Sequence, residues 1–141
     1  MTTRIFTGLK PTGQLQLGNY LGAIRPLLDL VADPGNAPLV CVVDLHALTV
    51  EHDPAQLRAL TLELAATLLA CGLDARARLF VQSTVPAHTE LCYLLESTAA
   101  HGEMTRMVQF KEKALRQESV RLSLLTYPAL MAADILLHRA D

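Results

Sequence analysis

The sequence predicts an α/β protein built on a doubly wound parallel sheet. Strand-like and helix-like segments alternate along the chain, which is typical of parallel α/β folds. The segment 38–44 is nearly all apolar, as strands buried on both faces of a sheet are. A glycine-rich turn over residues 8–19 follows the first strand-like segment, at the edge where such sheets bind ligands.

Three segments have the pattern of parallel strands. Residues 4–7 form the first, 38–44 the second and 78–82 the third. Polar or glycine-rich residues follow each of them, at 8–19, 44–46 and 82–83. Because the carboxyl ends of parallel strands meet at one edge of a sheet, we expect these three segments to converge there.

Helices are predicted between and after the strands. A helix over 19–32 ends at a turn cluster of Asp, Pro, Gly and Asn. Asp53 and Pro54 are an N-cap and a first-turn proline, and they open a helix that Cys71 and Gly72 close. The last helix is expected from Thr126 to about His138.

Composition narrows the class of protein further. The chain has 141 residues, 51% apolar and only 4% aromatic, so one domain with an aliphatic core is expected. A net charge of −2 provides no general attraction for nucleic acid. Three cysteines without a CxxC pair indicate reduced core residues, and no apolar run has the length of a membrane span. With no signal peptide at its start, the chain is expected to be cytoplasmic.

The turn over residues 8–19 has the features of a phosphate-binding loop. A glycine-rich turn between strand and helix directs backbone N–H groups and the positive end of the helix dipole at one point. Gly8, Gly13 and Gly18 permit close approach of a ligand, and Pro11 fixes the direction of the loop. Lys10 adds a flexible ammonium suited to a phosphate, although a solvated loop lysine is the alternative.

Five blocks of sequence together resemble one family. In order they are GLKPTGQLQLGNYLGA, VVDLHALTV, FVQSTVPAH, EMTRMVQFKEK and LLTYPALMAADILL. Their order and spacing resemble those of the bacterial tryptophanyl-tRNA synthetases, which are class I aminoacyl-tRNA synthetases, across residues 4–138. The tyrosyl-tRNA synthetases share the phosphate loop, but NYLGA and YPALMAAD favour the tryptophan family.

The resemblance implies an activity and an architecture. Tryptophan and ATP, the latter with Mg²⁺, would form tryptophanyl-adenylate and pyrophosphate, and the aminoacyl group would pass to tRNA(Trp). The implied fold is the Rossmann-like catalytic fold of HIGH-type class I synthetases, incomplete at the C-terminal end. Residues 1–141 would be the N-terminal part of the catalytic domain, while the KMSKS loop, the helical anticodon-binding domain and most of the tRNA contacts would lie elsewhere. This portion alone is expected to be nearly inactive, and the enzyme to be a cytoplasmic homodimer without a membrane anchor.

The resemblance also assigns the ATP contacts. Gln16, Gly18 and Asn19 stand in place of the HIGH signature and would be catalytic, although the family has His or Thr where Gln16 stands. Besides Gly18 and Asn19, the ATP contacts would be Lys10, Pro11, Thr12 and Lys113. The alternative for Lys113 is a solvated, mildly basic helical face.

The tryptophan site is expected around Asp134. An aspartate in an otherwise apolar helix needs a partner, and the indole N–H of tryptophan is a donor only. The resemblance implies that the Asp134 carboxylate accepts a hydrogen bond from the indole N–H. It also implies that Phe6, His46 and Met131 form walls of the indole pocket and that Tyr127 lies near the substrate amine. The alternatives for Asp134 are an aspartate on the helix surface or an internal ion-pair partner. Those for the others are a satisfied histidine after the strand for His46, an ordinary strand residue for Phe6, and core positions for Tyr127 and Met131. The spacing of Asp44, His46 and Asp134 does not indicate a metal site.

Two other functions remain open. A nucleotide-binding or regulatory paralogue without ligase activity would account for Gln16 and for the way the chain ends. A HIGH-type nucleotidyltransferase would share the strand, loop and first helix, but not YPALMAAD.

Overall fold

A computed structural model describes residues 2–108, 110–111 and 120–141. Its strands form a three-stranded parallel sheet in the order β1 (Thr3–Leu9), β2 (Asn36–Val42) and β3 (Arg78–Val81). Gly8 lies beside Cys41, and Cys41 beside Phe80. The three predicted strands and their parallel pairing are confirmed.

Helices follow each strand. They are α1 (Leu17–Asn19), which continues through a π-helical turn (Tyr20–Ile24) into α2 (Arg25–Ala32), then α3 (Asp44–Ala47), α4 (Pro54–Ala70), a 3₁₀ turn (Gln82–Thr84), α5 (Ala87–Thr98), α6 (His101–Met104) and α7 (Leu122–His138). Among the described residues, no helix is long and apolar enough to cross a membrane.

The predicted boundaries of α4 are confirmed. The Asp53 side chain accepts a hydrogen bond from the Ala55 backbone N–H at 2.9 Å, and Pro54 occupies the first turn. Gly72 follows the helix at φ +105°, a conformation that glycine adopts without strain.

The last helix begins at Leu122, earlier than the predicted Thr126. Leu124 is almost completely buried, so its packing extends the helix on the N-terminal side of Pro128. Arg139 then ends α7 in the left-handed conformation. Beyond it, the Asp141 N–H donates to the Arg4 carbonyl at 3.0 Å, and the Arg4 N–H donates to the Asp141 carboxylate at 2.8 Å. Residue Asp141 therefore lies beside β1, the edge strand of the sheet.

Helices cover both faces of the sheet, as the doubly wound prediction requires. On one face Val40 and Val42 contact an aliphatic cluster from the π-helical turn, α2 and α4, namely Ile24, Leu27, Val31, Leu64 and Leu68, with Leu73. Side chains alternate along a strand, so Cys41 and Phe80 belong to the other face, where α5 packs against α7. The described strands are arranged across the sheet in the same order as along the chain.

We predict that Leu68→Ala lowers the free energy of unfolding by about 2–5 kcal/mol, because Leu68 is fully buried and its loss leaves a cavity. Leu69→Ala is the matched control, since Leu69 is 57% exposed on the same helix and should change stability by about 0.5 kcal/mol or less. Urea unfolding followed by circular dichroism measures both, and equal losses would contradict this description of the core.

Candidate functional site

A cavity of about 370 Å³ opens at the carboxyl edge of the sheet. All five predicted tryptophan-site residues line it. The full lining is Phe6, Gly8, Lys10, Val43, His46, Thr49, Tyr127, Met131, Asp134 and Ile135. Three elements therefore build the cavity: β1 with the loop after it, the segment that follows β2, and α7.

Helical spacing explains how α7 contributes. Tyr127, Met131 and Asp134 are four and three residues apart, which places them on one face of the helix. Phe6 and Gly8 both lie on the second face of the sheet, the one that includes Cys41 and Phe80, because residues two apart in a strand share a face. A side chain at Gly8 would collide with Val43, since an added Cβ would lie 2.8 Å from Val43 Cγ1.

The Asp134 carboxylate is 2% exposed and receives hydrogen bonds from three side chains. His46 Nε2 lies 2.9 Å from Oδ2, and His88 Nδ1 lies 2.6 Å from Oδ1. Gln82 Nε2 donates to both oxygens, at 2.8 and 2.9 Å. An acid group this buried requires such partners, because burial of an unpaired charge is costly.

These donors keep Asp134 ionised. Burial by itself would raise the pKa of the carboxyl, but the hydrogen bonds from His46, Gln82 and His88 together outweigh it and hold the pKa below the ordinary 3.8. An ionised carboxylate accepts hydrogen bonds and donates none, so each facing nitrogen must carry a hydrogen.

A third histidine, His138, extends this network away from the cavity. His138 Nε2 lies 3.2 Å from His88 Nε2. The His138 ring stacks on Phe6, with ring centroids 5.1 Å apart and planes 11° apart. Burial, His88 and Arg4 lower the pKa of His138, and the opposing effect of Asp134 is smaller.

Sequence reasoning missed His88 and His138. His138 could have been found, because it is four residues after Asp134 on the same helix. His88 lies 46 residues away from Asp134 along the chain, and no local pattern marks it. Gln82 was expected only as part of the polar sheet edge.

Lys10 lies in the cavity with the tryptophan-site residues. Its ammonium is 3.3 Å from the Thr49 hydroxyl oxygen, and that hydroxyl in turn donates to the His46 carbonyl at 2.9 Å. Pro11 and Thr12 line a separate cleft of about 230 Å³, formed with the loop before α4 and its first turns.

The HIGH-like residues occupy a different place. Gln16, Gly18 and Asn19 are exposed at the start of α1 and line neither of these two spaces. The Asn19 side-chain oxygen accepts from the Gln16 backbone N–H at 2.9 Å, so it caps its own helix. Lys113 lies outside the described residues.

The ends of β2 and β3 converge as predicted. Asp44 accepts from the Ser83 N–H at 3.0 Å and from the Ser83 hydroxyl at 2.5 Å. Within the described ranges, no three His, Cys, Asp or Glu side chains are grouped as a metal site would need.

Comparison with known proteins identifies the family. The family model described as tRNA synthetases class I (W and Y) matches residues 1–141. The chain belongs to this family. The resemblance stated from the five sequence blocks is therefore confirmed.

Curated members of the family are similar over almost the whole chain. A tryptophan–tRNA ligase 1 from Streptomyces avermitilis is 57% identical, and the match covers 98% of this chain and 43% of the relative. A tryptophan–tRNA ligase from Parasynechococcus marenigrum is 54% identical over 98% of this chain and 41% of the relative. The chain thus spans about two-fifths of the length of these relatives.

Solved structures of the family confirm the Rossmann-like class I synthetase fold. Tryptophanyl-tRNA synthetase from Mycoplasma pneumoniae matches with a TM-score of 0.93 and 41% identity, over 100% of this chain and 42% of that one. The Campylobacter jejuni enzyme, complexed with ADP and tryptophan, matches with a TM-score of 0.85 and 33% identity, over 94% of this chain and 41% of that one. The present chain is incomplete relative to these synthetases.

We predict that Asp134→Asn destabilises the chain by about 3 kcal/mol at pH 7, because it removes the charge that three donors surround. The folded pKa of Asp134 is lowered, so its stabilising contribution is complete above the unfolded value of 3.8 and is lost as the pH falls through the folded value. The difference between wild type and variant should therefore shrink below about pH 4.

Urea unfolding at a series of pH values from 7 to about 2.5 measures this difference. Asp29→Asn is the control, since Asp29 is exposed on α2 and should change stability little at pH 7. A difference for Asp134→Asn that stays constant down to the lowest pH would contradict the ionised state of the carboxyl.

Proposed function

We propose that this chain forms the tryptophan site and part of the ATP site of a tryptophan–tRNA ligase. The main support is that one cavity is lined by all five predicted tryptophan-site residues: Phe6, His46, Tyr127, Met131 and Asp134. Support comes from the curated relatives, and from the Campylobacter jejuni relative that was solved with ADP and tryptophan. The proposed reaction joins the tryptophan carboxylate to the α-phosphate of ATP, releases pyrophosphate, and transfers the aminoacyl group to tRNA(Trp).

Asp134 is the proposed acceptor for the indole N–H. Three nitrogen donors already make four contacts with this carboxylate, because the Gln82 nitrogen is shared between both oxygens. A ligand N–H would share the carboxylate with these donors at the cavity, where Asp134 and His46 are both part of the lining. A site that is built to accept an N–H discriminates strongly against ligands that lack it.

The other walls suit an indole ring. Phe6 contributes an aromatic ring to the lining, and Met131 contributes a thioether, which adapts well to flat aromatic ligands. Tyr127 lies on the same helix face, and its ring contacts that of His46 edge-on, with centroids 6.5 Å apart. Partial burial raises the pKa of the Tyr127 hydroxyl, so it stays protonated and can hydrogen-bond the substrate amine.

Lys10 is proposed to lie where the two substrates meet. The tryptophan carboxylate attacks the α-phosphorus, so an ammonium between them attracts both anions and stabilises charge on the phosphate oxygens. Its position beside Thr49, in the cavity that Asp134 lines, supports this role. The cavity would then have an anionic group for the indole N–H and a cationic group for the carboxylate.

The remaining ATP contacts are proposed along the loop after β1. Pro11 and Thr12 lie beside Lys10, while Gly18 and Asn19 begin the following helix. With the Asn19 oxygen engaged as a cap, its amide hydrogens are the groups left to reach a phosphate, and Gln16 is proposed to act beside it. Lys113 and a Mg²⁺ ion carried by the ATP phosphates complete the proposed set.

Activity of the whole enzyme is proposed to require more than these residues. The relatives are more than twice as long, so we expect the chain to bind tryptophan weakly and not to charge tRNA(Trp) by itself. We also propose a homodimer in the cytoplasm, where translation takes place. Tyr93 and Leu94 on α5, each more than 60% exposed, support an apolar contact between subunits.

We predict that the chain binds L-tryptophan at least about tenfold more tightly than 3-benzothienylalanine, because that amino acid has nearly the same shape but no ring N–H. In Asp134→Asn this ratio should fall toward one. Isothermal titration calorimetry with both ligands measures it. Equal affinities for the two ligands in the wild-type chain would overturn the proposed site.

We predict that Lys10→Met weakens tryptophan binding by about tenfold or more and leaves tryptamine binding nearly unchanged, because tryptamine has no carboxylate. Lys111→Met is the matched control, since Lys111 is an exposed lysine outside the cavity. Calorimetric titration with the two ligands is again the measurement. An equal loss for both ligands would show that Lys10 does not contact the carboxylate.

A further inference from the structure

The hydrogen-bond network around Asp134 continues on the side away from the cavity. His88 is fully buried and does not line the cavity, and His138 lines a different cleft, with Arg4 and Arg78. The two histidines are therefore not placed to contact a ligand in the cavity. The two histidines can act on such a ligand only through the side chains that they contact.

Hydrogen positions in this network follow from its acceptor. Asp134 is ionised, so His88 Nδ1 must carry the hydrogen that is donated to Oδ1 over 2.6 Å. The two Nε2 atoms of His88 and His138 are 3.2 Å apart, so a single hydrogen lies between them. When His88 carries its hydrogen on Nδ1 alone, that shared hydrogen belongs to His138 Nε2. His138 then donates a hydrogen bond to His88, and His88 donates one to Asp134.

His138 is also fixed by aromatic packing. Its ring stacks on Phe6 and lies 5.3 Å from the ring of Phe80, between the centroids. Its backbone carbonyl accepts from the Arg4 guanidinium at 2.9 Å. His138 thus supports two walls of the cavity, Phe6 directly and Asp134 through His88.

We propose that His88 and His138 are positioning residues that hold the Asp134 carboxylate in the orientation in which it can accept from a ligand N–H in the cavity, and so set the selectivity for ligands with an aromatic N–H. This inference rests on the proposed function. Without the donor on His88 the carboxylate would turn toward His46 and Gln82, its other partners. The carboxylate oxygens would then no longer be oriented to accept from a ligand N–H in the cavity.

Paired substitutions separate the hydrogen bond from the volume of the side chain. His88→Leu removes the donor, whereas His88→Asn keeps an N–H near the place of Nδ1. His138→Phe keeps the ring that stacks on Phe6 but has no hydrogen to donate, whereas His138→Gln keeps an N–H near the place of Nε2. His101→Phe is the control, because His101 is exposed on α6.

The measurement is the ratio of affinities for L-tryptophan and 3-benzothienylalanine in each variant of the full chain. His88→Leu and His138→Phe should reduce the ratio by about fivefold or more, which is the effect of losing one hydrogen bond. His88→Asn, His138→Gln and His101→Phe should keep it within about twofold. A merely structural role would lower both affinities together and leave the ratio unchanged.

A second measurement needs no variant and no ligand. Nitrogen-15 spectra of histidine-labelled wild-type chain should show His88 protonated on Nδ1 and His138 protonated on Nε2. A His88 protonated on Nε2 alone would overturn the inference, as would an unchanged ratio in both His88→Leu and His138→Phe. A wild-type chain that binds the two ligands equally would instead contradict the proposed function, and the inference would fail with it.

Discussion

The buried carboxylate of Asp134 is the constraint on which the rest of the site depends. It lies in an apolar helix, remains ionised, and is paired by donors from three other parts of the chain: His46 after β2, Gln82 after β3, and His88 on α5. Each donor must face this one group, because an ionised carboxylate cannot donate and an unpaired one cannot stay buried. The second face of the sheet is therefore organised around a charge as well as around apolar contacts.

The orientation of Gln82 shows how strongly this charge acts. Its amide nitrogen faces Asp134, and among the described residues no donor reaches its buried oxygen, Oε1. A buried acceptor without a partner costs about 1–3 kcal/mol, yet turning the amide around would place its oxygen against the two carboxylate oxygens. Burial raises the pKa of the Cys41 thiol, and the charges of Asp134 and Asp44 raise it further, which keeps that cysteine protonated and unreactive.

The sequence predicted the elements and most of the site for different physical reasons. Strands, caps and turns are local, so Asp53, Pro54 and Gly72 marked α4 correctly. The association of Asp134 with Phe6 and His46 came from resemblance to a family, since no periodic pattern connects residues 88 positions apart. The direction of Lys10 could not be predicted, because a loop side chain turns toward whatever surface folding brings near it, here Thr49. His88 was missed because its partner, Asp134, lies on another helix, 46 residues away along the chain.

Of the three interpretations of Asp134 left open by the sequence, burial excludes an aspartate on the helix surface. The energetics of the network bear on the other two, an internal ion pair and a ligand acceptor. Replacing a buried polar network by apolar side chains of similar volume is often neutral or stabilising, so stability alone gives little reason for one. Here the network contains an unpartnered Gln82 oxygen and an aspartate that borders a cavity of ligand size. The buried Gln82 oxygen lowers stability without a ligand, whereas binding a ligand N–H would stabilise the folded state, and more so the tighter the ligand binds. This supports the proposal that Asp134 is a ligand acceptor, with His46, Gln82 and His88 as the groups that keep the carboxylate charged and in place.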